Sequence, residues 1–220
     1  MKTVGLFGGT FDPVHHGHLD VARVVRQALF LDEIWFIPAR LPPHRAAPAA
    51  SAAHRFAMVA LAIAGQNAMQ VCDVEMAGDG PSYTIDTLNA VESSYPALTG
   101  RLCFITGADA FLEIATWRSW MGLLDRAHFA VVSRPGCSAP GLRAALPALA
   151  ARMHDTPAAL GTTPGIFLVD ALTSAVSSTE ARRALRQGTA VDELLPELVA
   201  EYARRQNLYT GMDAQEASRG

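Results

Sequence analysis

Cysteine is scarce in this chain of 220 residues: Cys72, Cys103 and Cys137 stand far apart and form no C-x-x-C pair. That spacing argues against a disulfide framework or a zinc knuckle and predicts reduced, buried thiols. A basic surplus is also missing, with 18 Lys and Arg against 21 Asp and Glu. The chain therefore lacks the footprint of a nucleic-acid binder, and any anion site must be local. No apolar run reaches membrane-spanning length. A secretory signal is not readable either, since Gly8-Gly9 break the first apolar run and an acid and histidines follow. These absences predict a cytoplasmic enzyme with neither a membrane nor a nucleic-acid partner. Two familiar phosphate-binding patterns are absent as well: no G-x-G-x-x-G follows the first strand, and no G-x-x-x-x-G-K-[ST] occurs anywhere.

Half of the residues are hydrophobic and 18% are charged, the composition of a globular chain long enough for one well-buried core. We expect one domain over residues 1–209 and a polar, flexible tail over 210–220. Apolar strand-like runs at 4–7, 33–37, 69–74, 102–105, 128–133 and 166–169 are separated by helical patterns at 17–30, 51–64, 84–93, 142–153, 179–187 and 196–206. The Pro/Ala-rich residues 41–50 read as an exposed loop, with Ser51 near the cap of the next helix. Strands alternating with helices predict an α/β fold: a doubly wound, mainly parallel, Rossmann-like sheet with helices on both faces and a C-terminal helical segment. Gly, Asp, Pro or Arg ends the first, fourth and fifth strands, which is the ligand edge of such sheets.

The first of those strand ends carries the strongest signal, Gly8-Gly9-Thr10-Phe11-Asp12-Pro13-Val14-His15-His16-Gly17-His18. A strand, two glycines, a short turn and a His-x-x-His pair opening a helix together predict a phosphate site, where helix N–H groups and imidazoles converge on one anion. The three-residue spacing of His15 and His18 aims both rings at one point, and Gly17 between them allows close backbone approach. A helix N-terminus favours neutral imidazole and anionic ligands, so the histidines are expected to donate N–H rather than accept a proton. The plainer reading is a helix cap or a satisfied core pair. No third residue has the spacing of a metal ligand, so no side-chain metal site is expected.

A second signal lies far along the chain in Ser177-Ser178-Thr179-Glu180-Ala181-Arg182. Ser and Thr ahead of Glu and a helical run read as an N-cap. The same helix start offers N–H groups and hydroxyls to an anion, with Arg182 as a fixed cation one turn later. Joined to the first site, it would grip the outer phosphates of a triphosphate.

The G-G-T-F-D-P-x-H-x-G-H opening paired with a late S-S-T-x-x-R helix resembles the nucleotidylyltransferase superfamily. Within it, the resemblance is to the bacterial nicotinate-nucleotide adenylyltransferases, from about Val4 to Tyr209. It is carried further by Pro42-Pro43-His44-Arg45, Ser82-Tyr83-Thr84-Ile85-Asp86-Thr87-Leu88, Gly107-Ala108-Asp109, Trp117 and Arg134-Pro135-Gly136.

The resemblance implies that ATP and nicotinate mononucleotide are joined to deamido-NAD with release of pyrophosphate, a step in NAD biosynthesis, and that Mg²⁺ is held mainly by substrate phosphates and water. It implies catalytic roles for His15, His18 and Arg182. ATP contacts are implied for Gly8, Gly9, Thr10, Phe11, Gly17, Arg134, Ser178 and Thr179 along with those three. Nicotinate-nucleotide contacts are implied for His44, Arg45, Tyr83, Thr84, Gly107, Asp109 and Trp117, with Trp117 stacked on the pyridine ring. The chain departs from the family pattern where Arg45 replaces a lysine and where Ala181 precedes the late arginine; charge survives the first change, although a planar fork is not a point charge.

Three other readings stay open at this level: a sister enzyme acting on nicotinamide mononucleotide or phosphopantetheine, a non-catalytic nucleotide-binding module, and a fragment of a class I aminoacyl-tRNA synthetase. Acidic net charge and the lack of a Lys-Met-Ser-Lys-Ser loop weigh against the last. A homo-oligomer is compatible with the sequence.

Overall fold

The computed structural model describes residues 2–42, 47–76, 80–171 and 173–210. Its strands are β1 (Val4–Gly9), β2 (Glu33–Pro38), β3 (Met69–Val71), β4 (Leu102–Gly107), β5 (His128–Val132), β6 (Met153–Asp155) and β7 (Ile166–Val169). The helices are α1 (His16–Ala28), α2 (Ala52–Ala62), α3 (Thr84–Ser94), α4 (Ala108–Leu112), α5 (Trp120–Arg126), α6 (Leu142–Ala145), α7 (Ser178–Gln187) and α8 (Glu197–Arg205).

Successive side chains of a strand point to opposite faces, and in the central strands both sets are apolar. Val4 and Leu6 join Phe104, Phe129 and Val131 in one core; Phe7 joins Phe36, Ile105 and Val132 in another. A strand apolar on both faces needs helices on both, and that demand makes the sheet parallel and fully covered. Helices α1, α2, α7 and α8 cover one face, while α3, α4, α5 and α6 cover the other. The strand order is β3-β2-β1-β4-β5-β7-β6, and every ladder is parallel. The doubly wound sheet expected from the sequence is the one observed.

From β1 the chain winds outward to β3, then returns to the other side of β1 as β4. The connections after β1 and β4 thus leave in opposite directions. They open a crevice at the strands' carboxyl ends, where such sheets take ligands.

Several elements differ from the sequence reading. The helix expected over 142–153 stops at Ala145, because Pro147 supplies no N–H and pushes Leu146 out of the helical region, to φ −126° and ψ 65°. A 3-10 turn (Pro147–Arg152) and the edge strand β6 take its place. The strand expected over 69–74 ends at Val71; the Cys72 N–H still donates to Phe36 O at 2.8 Å before the chain turns away. Helices α4 and α5 were not legible as periodic patterns, being five and seven residues long. Among the described residues, no helix is long and apolar enough to cross a membrane. The expected loop residues His44 and Arg45, and the tail beyond Thr210, lie outside the described residues.

Candidate active site

The turn between β1 and α1 is shaped by Phe11 and by a cis peptide bond between Asp12 and Pro13. Phe11 adopts a left-handed φ of 50°, which costs a non-glycine residue about 1 kcal/mol. Its buried ring secures that conformation by edge contacts with Phe7 at 5.5 Å and with His18 at 4.9 Å.

His15 stands at the N-cap of α1 and donates its backbone N–H to Nδ1 of His18 at 3.2 Å. With Nδ1 accepting, the neutral His18 ring carries its proton on Nε2. The two imidazoles stack with ring centroids 3.6 Å apart. His15 is 3% exposed, and burial, followed by the charges of Arg134 and His16, lowers its pKa to about 4. It is a neutral ring at physiological pH, with a buried Nδ1 that lacks a hydrogen-bond partner.

Helix α7 comes to the same place from more than 160 residues away. Ser177 caps it by accepting the Glu180 N–H on Oγ at 3.1 Å. The Ser178 hydroxyl then donates to Pro13 O at 2.9 Å, and Arg182 Nη1 donates to Asp12 O at 2.8 Å. Arg182 Nη2 reaches Thr179 Oγ1 at 3.4 Å. The side chains of the second motif thus hydrogen-bond to the backbone of the first.

A cavity of about 530 Å³ fills the crevice between β1 and β4. Gly8, Gly9, Thr10, Phe11, His18, Tyr83, Thr84, Gly107, Asp109, Trp117, Arg134 and Ser178 all line it. Gly8 faces open space, with nothing within 4 Å of where a Cβ would stand. At Gly107 a Cβ would run into Asp109 Oδ1 and stand 3.0 Å from Arg134 Nε, so glycine lets those two side chains close over the end of β4. The Trp117 ring meets Phe129 edge-on at 6.4 Å, and Arg118 covers the Tyr83 ring at 5.1 Å while pairing with Asp86 at 3.3 Å. The crevice gathers glycines, an N–H-donating imidazole and a capped helix start, the donors that suit an anionic ligand.

The cytidylyltransferase-like family model matches residues 6–184. A protein of Aeromonas salmonicida is 44% identical over 94% of this chain and 96% of its own length, and one of Halorhodospira halophila is 41% identical over 91% and 92%. Both carry the name probable nicotinate-nucleotide adenylyltransferase. This chain belongs to the nicotinate-nucleotide adenylyltransferase family. The fold is shared with the Plasmodium falciparum nicotinic acid mononucleotide adenylyltransferase complexed with NaAD, at a TM-score of 0.73 and 21% identity over 95% of this chain and 98% of that one.

Within this family member, the structure gathers most of the residues singled out from sequence. His15, Gly17, Thr179 and Arg182 are not part of the cavity wall. His15 meets it through the stacked His18, and Arg182 is anchored on the turn behind Ser178. Gly17 sits where a Cβ would stand 2.9 Å from Ser174 O and 3.1 Å from His15 Nδ1. Its missing side chain makes room for protein backbone and the neighbouring ring.

Four further residues carried no assigned role in the sequence reading. Arg55, 1% exposed, donates to Thr10 O at 2.7 Å, Arg40 O at 3.1 Å and Ala50 O at 3.2 Å, so it staples the loops around the glycine floor. Glu75 stands beside a recess formed with Gly8, Ile37, Thr84 and Trp117. Its Oε1 accepts the Thr87 hydroxyl at 2.5 Å, and its Oε2 is buried without a partner. Burial raises its pKa, against the opposing pull of the Ser82 and Thr87 hydroxyls and the Arg55 charge. Asp12 and Tyr209 are joined by a hydrogen bond of 2.7 Å. A lone arginine in an apolar helix and a tyrosine beside a polar tail give no pattern that would have marked them.

Proposed function

We propose that this enzyme transfers the adenylyl group of ATP to nicotinate mononucleotide, giving deamido-NAD and pyrophosphate. The observation that carries the reading is the pair of bonds from Ser178 and Arg182 to the carbonyls of Pro13 and Asp12, which holds a cationic helix start against the histidine cluster. Family membership supplies the acceptor, and one cavity is lined both by His18 and Ser178 and by Tyr83 and Trp117.

An oxygen of the mononucleotide 5′-phosphate attacks the α-phosphorus of ATP in line. The new P–O bond forms as the bond from the α-phosphorus to the bridging oxygen breaks, and its electron pair departs on pyrophosphate. A phosphate monoester is already anionic near pH 7, so no general base is needed. Catalysis is then positioning and charge stabilisation. His18 Nε2–H donates to an α-phosphoryl oxygen, while His15 braces that ring and carries no competing charge. Ser178, Thr179 and Arg182 receive the leaving pyrophosphate. Trp117 offers its face to the cationic pyridine ring, Tyr83 and Thr84 border that pocket, Asp109 accepts ribose hydroxyls, and Arg134 lies on the adenosine side.

Mg²⁺ belongs to this reading as a companion of the phosphates. In this reading the cation would keep phosphate oxygens and water as its ligands. When bound, Mg²⁺ neutralises charge on the departing pyrophosphate. An ATP-consuming biosynthetic step fits the cytoplasmic location expected from the sequence.

The test is pyrophosphate release from ATP and Mg²⁺ with nicotinate mononucleotide, nicotinamide mononucleotide or phosphopantetheine as acceptor. We expect the nicotinate compound to give the highest kcat/KM. His18→Ala should lower kcat by about 10²–10³ with an unchanged melting temperature, the size associated with losing one preorganised donor. A higher rate with phosphopantetheine would assign the enzyme to the sister activity. No release from any acceptor would leave a nucleotide-binding module.

A further inference from the structure

Asp12 is absent from the cavity wall, yet separate parts of the fold meet on it. Its carboxylate, 5% exposed, accepts the Ala49 N–H on Oδ2 at 2.6 Å and the Ala50 N–H on Oδ1 at 3.1 Å. The Tyr209 hydroxyl donates to Oδ1 at 2.7 Å, and Arg182 donates to the Asp12 carbonyl at 2.8 Å. These bonds join the β1–α1 turn, the segment ahead of α2, helix α7 and the residues that follow α8. Arg55 completes the knot from the other side through Thr10 O and Ala50 O.

Tyr209 reaches Asp12 because α8 ends in a sharp reversal. Asn207 takes a left-handed φ of 51° and Tyr209 one of 64°, while the Leu208 N–H returns to Ala203 O at 2.9 Å. The half-buried phenol then lies in the field of both Arg55 and Arg182. Burial and the adjacent carboxylate push its pKa up, so it remains an O–H donor at every pH the enzyme meets.

We propose that Tyr209 and Asp12 are positioning residues for the adenylyl transfer: their hydrogen bond orients the Asp12 backbone so that its carbonyl holds the Arg182 guanidinium at the pyrophosphate end of the site. The physical reason is that three donors from different parts of the fold converge on one carboxylate. A carboxylate bound by three donors resists rotation about its own backbone, and each of these bonds belongs to the stronger, charge-assisted class. Removing the phenolic O–H leaves two donors on the carboxylate and one restraint fewer on the residue whose carbonyl Arg182 grips. The residues after α8 thereby act on ATP without touching it. The inference rests on the role given to Arg182 in the proposed function.

The test compares Tyr209→Phe with Tyr202→Phe. Tyr202 lies on α8 and bonds His54 Nδ1 at 2.9 Å, away from Asp12. We expect Tyr209→Phe to raise KM for ATP about tenfold and to halve the ATP-induced rise in melting temperature, with KM for the mononucleotide within twofold. Tyr202→Phe should leave all three readings at wild-type values. Asp12→Asn, which sets an NH₂ group against incoming donors, should show the same ATP-specific change more strongly, and serves if Tyr209→Phe folds poorly. Unchanged ATP parameters in both variants overturn the proposal, as does a lower melting temperature with an intact ATP-induced shift. A wild-type enzyme without turnover would instead count against the proposed function, and ATP binding by the variants would still decide this inference.

Discussion

The imidazoles of His15 and His18 stack 3.6 Å apart with an interplanar angle of 28°, one ring buried and the other at the cavity wall. Two rings so close cannot both carry protons cheaply, and the inner one is the ring that stays neutral.

That relationship fixes a pH dependence. His15 titrates at about 4 in the folded chain against an ordinary value of 6.5. Between those values the unfolded chain binds more protons, so stability is complete above 6.5 and falls as pH drops towards 4. The full loss is about 3 kcal/mol. Urea unfolding of wild type and His15→Gln, at about pH 7 and about pH 4.5, measures it. The variant should lose less stability on acidification; equal losses would remove His15 from the account.

Glu75 gives a dependence in the other direction. Its pKa is raised by burial. As pH climbs from the ordinary glutamate range through the folded value, the folded chain must take up a costly charge and stability declines. Glu75→Gln keeps an acceptor for Thr87 and removes that charge. We expect its melting temperature to exceed wild type near pH 8 and to match it near pH 5, as read by thermal denaturation. A variant less stable at both would show that the carboxylate is satisfied in the folded state.

Arg55 is wholly internal and donates to three carbonyls, those of Thr10, Arg40 and Ala50. Arg55→Met would strand three acceptors without water. We expect a loss of about 3 kcal/mol or more in chemical denaturation. Arg55→Lys should recover only part, because an ammonium cannot span the same fork. A loss below about 1 kcal/mol would mean that the loops find other donors.

The sheet was readable because its central strands are buried on both faces, so 4–7, 102–105 and the 129–132 centre of the 128–133 segment are apolar runs that need no context. Helices α4 and α5 and strand β6 escaped because they are too short to show a period. Pro147 was in plain view, yet the alanines on both sides of it favour helix, and local propensity masked the break.

At the site, glycines, histidines and a capped late helix announce phosphate chemistry through residue type alone. Backbone N–H groups at a helix start and neutral imidazoles attract anions wherever they occur. Asp12, Arg55, Glu75 and Tyr209 mean nothing until the chain closes, because each acts through partners remote in sequence, 197 residues away for Tyr209 and Asp12. Short-range pattern determined the fold class and the chemistry of the crevice. Only tertiary structure decided which charges are buried and which carbonyls are gripped, since burial and long-range hydrogen bonds are properties of the packed chain.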